Sequence, residues 1–158
     1  MDATELTALI EQHARLIHKV AFAYCRNASD RADVVQEIHV QLWRSRHRYD
    51  PRFKVTTWIY RIALNVAISY YRREHRHAGE PLGEVAADGT DDQTRTLLGF
   101  IEGLEPLDKA LVLLYLDGND HAEIAEVLGI TVTNVSTKLS RIKDKLRTAY
   151  QEKTRGAG

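Results

Sequence analysis

Apolar residues recur at three- and four-residue steps along most of the chain, and polar clusters interrupt them often enough to predict a series of helices in a strand-poor protein. Residues 2–25 are predicted as one helix, with Asp2 and Glu5 as a capping box and Leu6, Leu9, Ile10, Leu16, Ile17, Val20 and Tyr24 as its apolar stripe. Asn27, Ala28 and Ser29 break the pattern. Asp30 is then the expected N-cap of a second helix to about Arg46, with Val34, Val35, Ile38, Leu42 and Trp43 facing inward. Pro51 forbids a helix across 47–55, because it disfavours helical geometry at Asp50 and removes an amide donor. Thr56 or Thr57 opens a long helix whose core stripe is Ile59, Ile62, Ala63, Val66 and Tyr70. Further on, Leu97, Leu98, Ile101 and Leu104 form another stripe. Pro106 suits a first helical position, and Leu107, Leu111, Leu114 and Tyr115 continue the core.

Residues 118–147 carry the clearest punctuation. Asp120 caps a helix with Glu123 three residues on, Ile124, Ala125 and Leu128 make its inner stripe, and Gly129 supplies a left-handed stop. Thr131 caps the next helix, in which Val135, Leu139, Ile142 and Leu146 recur at helical spacing. This is a helix-turn-helix pattern. The polar residues of its second helix, Asn134, Ser136, Thr137, Lys138, Arg141, Lys143 and Lys145, lie largely off the buried stripe. Such a helix enters the major groove, its early side chains at base edges and its later cations at phosphates. The plainer alternative is a helical hairpin with a solvated basic face.

Composition adds segregation of charge to this picture. The 158 residues carry 22 acids and 22 bases, yet bases lead 9 to 2 over 39–77 and 7 to 2 over 130–158, while acids lead 12 to 2 over 78–129. Residues 74–96 hold Pro81, three glycines and a run of acids that resists burial, which reads as a flexible acidic linker. The expectation is an all-α chain of two small helical domains: 1–76, a linker at 77–95, a helix-turn-helix domain at 96–152 and a polar tail at 153–158. The lone Cys25 excludes an intrachain disulfide and fits a reducing compartment, with a small apolar role on a helix. No signal-like start or membrane-spanning apolar run is present, so the chain reads as soluble and cytoplasmic. His75 and His77 lack a third nearby ligand, so no metal is expected, and no cofactor either.

Two surfaces of the first half carry candidate chemistry. Asp33, Gln36, Glu37 and Gln41 form an acidic and amide face beside Trp43, suited to docking a basic protein surface; a solvated helix face is the alternative. Residues 47–55 form a basic loop with interleaved aromatics. On the long helix after it, Trp58, Arg61, Asn65 and Ser69 share a face that offers a ring for stacking, a guanidinium and a base-reading amide. Arg72, Arg73 and Arg76 close that helix, either as nucleic-acid contacts or as favourable charges on its C-terminal dipole.

The run DRADVVQEIHVQLWRSRHRYDPRFKVTTWIYRIALNVAISYYRR resembles region two of bacterial RNA polymerase sigma factors, above all the small extracytoplasmic-function type, in its D-x-x-D-x-x-Q-E, its aromatic beside Leu42 and its T-W-x-Y-R-I-A-x-N. Residues 104–147 resemble region four of the same family. The resemblance implies a promoter-specificity subunit, not an enzyme. By it, Asp33, Gln36, Glu37, Leu42 and Trp43 bind the clamp coiled coil of the polymerase largest subunit, with the flap as a second contact on core polymerase. Arg48, Arg52, Lys54, Thr56, Trp58, Tyr60, Arg61, Asn65, Arg72 and Arg73 capture a melted minus-ten element. Thr131, Asn134, Ser136, Thr137, Lys138, Arg141, Lys143 and Lys145 read the minus-thirty-five element as duplex, although Ser136 stands where relatives commonly carry Lys or Arg. Glu80, Glu84, Asp88, Asp91 and Asp92 of the linker mimic RNA charge in the exit channel. An anti-sigma protein is the implied regulator, and no small-molecule substrate is implied.

Two rivals differ in class. A different helix-turn-helix regulator would use residues 1–77 to sense or dimerise, but that stretch shows no ligand-pocket or phosphoacceptor pattern and carries the basic, aromatic helix instead. An enzyme would need a nucleophile and base at motif spacing or a glycine-rich phosphate loop after a strand, and neither is present.

Overall fold

The computed structural model of the chain describes residues 1–78 and 92–156. The described residues form helices and connecting turns, with no strand among them. They fall into two compact units, each formed by consecutive helices.

In the first unit, α1 (Ala3–Gln12) starts from the expected capping box: the Glu5 amide donates to Asp2 Oδ1 at 2.8 Å and the Asp2 amide to Glu5 Oε2 at 3.2 Å. The helix predicted over 2–25 is two helices. α2 (Ala14–Tyr24) begins after a break at His13, whose φ of −110° and ψ of 21° bend the chain although backbone hydrogen bonds run on through it, the His13 amide donating to the Leu9 carbonyl and the Ile17 amide to the His13 carbonyl. Both halves pack on the third helix of the unit, and α2 also lies along the fourth. α3 (Ala28–Ser45) is capped by Asn27, not by Asp30 as its acidic character suggested. Asn27 accepts the Asp30 amide at 2.8 Å and donates its own amide to the Asp30 carboxylate at 2.8 Å, so the aspartate sits one turn inside and serves the positive end of the helix. A 3-10 turn (Arg46–Arg48) leads into the loop, and α4 (Val55–Ala78) follows.

The core of this unit gathers Ile17, Val20, Ala21 and Tyr24 of α2, Val34, Val35, Ile38 and Leu42 of α3, and Ile59, Tyr60, Ala63, Leu64 and Ala67 of α4. The buried face of α4 is thus rotated from the predicted stripe toward Tyr60 and Leu64, and Ile62, Val66 and Tyr70 sit at its margin. Tyr70 is pushed well above the usual phenol range, first by burial and then by its hydrogen bond to Asp30. Two tyrosines and a histidine pin α4 to α2: the Tyr24 and Tyr71 rings meet edge-on at 6.1 Å, and His75 stacks on Tyr71 at 3.8 Å. His75 Nδ1 lies 2.9 Å from the Tyr71 carbonyl, so that nitrogen carries the proton.

The second unit contains α5 (Asp92–Glu102), α6 (Pro106–Leu116), α7 (His121–Leu128) and α8 (Val132–Gly156). α5 begins inside the stretch read as linker, since Asp92 supplies an acid to its first turn. Glu80, Glu84, Asp88 and Asp91 lie outside the described residues. The predicted polar tail is likewise helical through Gly156, where Lys153 donates to the Thr96 hydroxyl and ties the end of α8 to α5. Gly118, at φ +86°, and Gly129, at φ +69°, occupy left-handed positions that close α6 and α7. The core here is Leu104, Ala110, Leu111, Leu114, Ile124, Ala125, Val127, Val135, Leu139 and Ile142. Tyr115, expected in it, is 40% exposed, because it stands one residue, about 100° of helix, beyond fully buried Leu114. Lys109 takes an inward place instead.

Candidate nucleic-acid interface

On α3 the polar face stands as its period requires, with Asp33, Gln36 and Glu37 exposed and the Gln41 amide donating to Glu37 Oε1 at 2.8 Å. Two of the residues grouped with them need correcting. Leu42 has no exposed surface, so it supports this face from beneath. Trp43, expected inward, is 44% exposed, since it follows Leu42 around the helix by 100°. The Arg46 guanidinium lies 3.7 Å from its ring centroid and donates to the Trp43 carbonyl at 2.8 Å, which holds an exposed aromatic anchor in one orientation.

The loop after α3 is fastened by its own side chains. Arg52 is held by both oxygens of Asp50, with donor distances of 2.8 to 3.2 Å, and this fork keeps the Asp50 carboxyl below its ordinary range. Tyr49 packs against Trp58 with ring centroids 5.3 Å apart, and its hydroxyl donates to the Phe53 carbonyl at 3.3 Å. The Arg61 guanidinium lies 5.8 Å from the Phe53 ring. The Lys54 carbonyl accepts the amides of Thr57 and Trp58, so the loop runs directly into the first turn of α4.

Along α4, Arg61, Asn65, Arg72 and Arg73 are exposed and Thr56 and Trp58 half-buried, with Arg48 exposed in the preceding turn. Tyr60 does not belong with them: it is 2% exposed and packs in the core, two residues and about 200° of helix from Trp58. The motif spelled out Trp58, Tyr60, Arg61 and Asn65 as one string, but the helix sends Tyr60 to the opposite side. Between α3 and α4 runs an open groove of about 650 Å³, with Glu37, Gln41 and Ser45 on one bank and Asn65, Ser69 and Arg72 on the other. Sequence reasoning treated the acidic face and the basic face as separate; the i, i+4 steps of Glu37 with Gln41 and of Asn65 with Ser69 were the available signal that each lines an edge.

In the second unit, the Asp120 side chain accepts the Glu123 amide at 2.8 Å, and the Thr131 hydroxyl accepts the Asn134 amide at 3.0 Å. With Val135, Leu139 and Ile142 buried, Thr137 and Arg141 stand opposite the core, Asn134, Lys138 and Lys145 on one flank and Ser136 and Lys143 on the other. Lys143 is turned toward α6, its ammonium 4.6 Å from the Tyr115 ring centroid and 3.3 Å from its hydroxyl. The arrangement offers two kinds of nucleic-acid surface: rings and cations on the loop and α4, hydroxyls and cations on α8. Among the described residues no group of three or more His, Cys, Asp and Glu converges as a metal site would require, and no helix is long and apolar enough to cross a membrane.

Comparison with known proteins gives one family match in each unit. Residues 9–77 match the family model described as Sigma-70 region 2, and residues 94–146 match Sigma-70, region 4. RNA polymerase sigma factor HrpL of Pseudomonas syringae pv. syringae is 31% identical over 140 residues, covering 77% of this chain and 74% of HrpL. ECF RNA polymerase sigma factor SigE of Mycolicibacterium smegmatis is 28% identical over 152 residues, covering 88% of this chain and 59% of SigE, so this chain spans well under two thirds of that relative. Among solved structures, the sigma factor RpoE of Bartonella quintana, crystallised with the anti-sigma factor NepR, has a TM-score of 0.77 at 15% identity, covering 94% of this chain and 98% of RpoE. CnrH, in complex with the cytosolic domain of CnrY, has a TM-score of 0.72 at 22% identity, covering 96% and 90%. At these identities the structures speak for the fold. The region 2 match over the first unit disfavours the reading of that unit as the sensing half of an ordinary regulator.

Proposed function

The chain belongs to the sigma-70 family of RNA polymerase sigma factors, in its extracytoplasmic-function branch, and from that membership we propose how its two units divide the work. The protein directs promoter-specific transcription initiation as a subunit of the polymerase, in the cytoplasm, and contributes no bond-making step of its own. The first unit, within residues 1–76, docks on the clamp coiled coil of core polymerase through Asp33, Gln36 and Glu37, with Trp43 as the anchor beside them. The same unit captures the minus-ten element as a melted strand. The second, within 96–152, reads the minus-thirty-five element as intact duplex and meets the flap, and residues 77–95 link them.

The observation that carries this reading is the pairing of two different surfaces in one chain. Opening DNA without ATP requires that unpaired bases be stacked or pocketed, each stacked base being worth about 1–3 kcal/mol, while cations hold the backbone. Trp58 with Arg61, Asn65, Arg72 and Arg73 offers that combination, joined by Arg48, Arg52 and Lys54 before it. The second helix of the helix-turn-helix, α8, offers Thr137 and Arg141 opposite the core, with no tryptophan on it, which suits a closed groove. An anti-sigma partner is supported by the complexes in which both structural neighbours were solved, and by the exposed Phe22, with Arg31 4.7 Å from its ring centroid, as protein-docking surface outside the DNA faces.

Gel filtration of the purified chain with bacterial core RNA polymerase, followed by run-off transcription from a genomic promoter library, tests the proposal. Co-elution with new promoter-dependent transcripts is the expected result. Absence of association, together with tight salt-dependent binding to intact duplex, overturns it in favour of a regulator that does not join the polymerase.

A further inference from the structure

Sequence patterning singled out Trp58 and passed over Tyr49, yet the two rings are in contact. Tyr49 stands at the start of the loop and Trp58 in the first turn of α4, with centroids 5.3 Å apart and planes inclined by 50°. The Tyr49 hydroxyl donates across the loop to the Phe53 carbonyl at 3.3 Å, and the Phe53 amide donates to the Asp50 carbonyl at 3.1 Å. The Asp50 fork on Arg52 closes the same turn. Phe53 in turn lies near Arg61, one helical turn beyond Trp58. Every one of these contacts is made within 49–61, so the loop is arranged by side chains that the unit brings with it.

We propose that Tyr49 is a positioning residue for promoter opening: its ring braces the Trp58 indole and its hydroxyl braces the loop at Phe53, so both are already placed when an unpaired base arrives. This rests on the reading of Trp58 as a stacking platform. An indole on a free rotor would lose its rotamer freedom on binding; one braced in advance has lost it during folding, and more of the stacking energy is left for holding the strand. Trp58 is half-buried, which fits a ring covered on part of its surface by a neighbour. Tyr49 makes both contacts from one side chain, the ring to α4 and the hydroxyl to the loop, and this distinguishes bracing from ordinary core packing.

The test uses the full chain bound to core polymerase, with a fluorescent single-stranded minus-ten oligonucleotide as probe, and the Tyr49→Ala, Tyr49→Phe, Trp58→Ala and Tyr49→Ala/Trp58→Ala variants. Trp58→Ala is expected to weaken oligonucleotide binding about tenfold, the effect of one lost stack. Tyr49→Ala should cost several-fold, Tyr49→Phe clearly less because the ring remains, and the double variant no more than Trp58→Ala alone. In the free protein carrying Trp43→Phe, so that Trp58 is the sole tryptophan, Tyr49→Ala should shift the emission to the red with the helical circular dichroism unchanged. Losses that add fully in the double variant overturn the proposal, since Tyr49 would then touch the strand on its own account, and so does an emission spectrum indifferent to Tyr49. A normal Trp58→Ala complex would overturn the stacking role of Trp58 itself. A normal Tyr49→Ala complex beside a weakened Trp58→Ala complex would leave that role standing and remove only the brace.

Discussion

Lys109 is a cation the sequence would count toward a DNA-binding unit, and its surroundings predict a different behaviour. The residue is 1% exposed, in the core of the helix-turn-helix unit, with its ammonium 4.0 Å from Glu102 Oε2. At that separation the attraction is about 4 kcal/mol in an effective dielectric near 20, against a desolvation penalty of several kcal/mol for each ion. Burial lowers the Lys109 pKa and Glu102 raises it, and burial is the larger, so the net direction is down from 10.5. The sign of the pH effect follows. Between the lowered folded value and the ordinary lysine range the unfolded chain binds more protons than the folded one, so stability rises with pH through that window and is least where Lys109 is charged in both states. Lys109→Met combined with Glu102→Gln, which removes the pair without leaving a charge behind, should therefore be neutral or stabilising at about pH 7, by about 1–2 kcal/mol, at the lower end of what replacement of buried ion pairs yields. For a unit of this size that is a rise in melting temperature of about 4–15 °C. Scanning calorimetry of the whole chain at about pH 7 and about pH 10 checks both parts, with the gap between variant and parent narrowing at the higher pH. A variant that melts several degrees lower, by the same margin at both pH values, refutes the reasoning, because the ammonium would then be stabilising on balance.

The remaining predictions concern the surfaces. Asp33→Arg with Glu37→Arg, both exposed on α3, should abolish co-elution with core polymerase while leaving the circular dichroism intact; retained co-elution removes the docking assignment. Arg141→Ala should weaken binding to a minus-thirty-five duplex and, if the guanidinium meets a phosphate, reduce the salt slope of log K by about 0.9, whereas Lys109→Met should leave affinity and slope unchanged. Cys25 is 5% exposed and burial pushes its thiol up to about 11, so it should resist alkylation by iodoacetamide at neutral pH in the folded protein and react once the chain is unfolded; fast labelling of the native chain contradicts that burial.

What the sequence disclosed and what it hid separate along one physical line. Signals closed within a few residues were legible: the Asp2 and Glu5 box, the Asp120 cap, the left-handed Gly129 and the Thr131 cap are each a side chain meeting a backbone three or four positions away. Period alone also told which residues of α8 face outward. The misreadings came where a residue one step off a buried stripe was assigned by chemical type. Trp43 and Tyr115 are read inward as the last members of apolar stripes that end at Leu42 and Leu114, and Tyr60 outward because the motif names it beside Trp58 and Arg61. For Tyr115 and Tyr60 neighbours from another helix decide: Tyr115 receives Lys143 from α8, and Tyr60 joins Ala63 and Leu64 in the face packed on α2 and α3, whereas Trp43 is turned outward by its own helix, one step past buried Leu42, with Arg46 over its ring. The break at His13 was equally hidden, since no proline or glycine marks it. Burial of Tyr60 also sharpens the functional surface. With that ring withdrawn, the proposed stacking on α4 falls to Trp58, and the loop ring in contact with it is Tyr49. On the proposed reading the melting surface is therefore one platform with a local brace, and its strength should depend on contacts inside 49–61 more than on the number of aromatic residues in the motif.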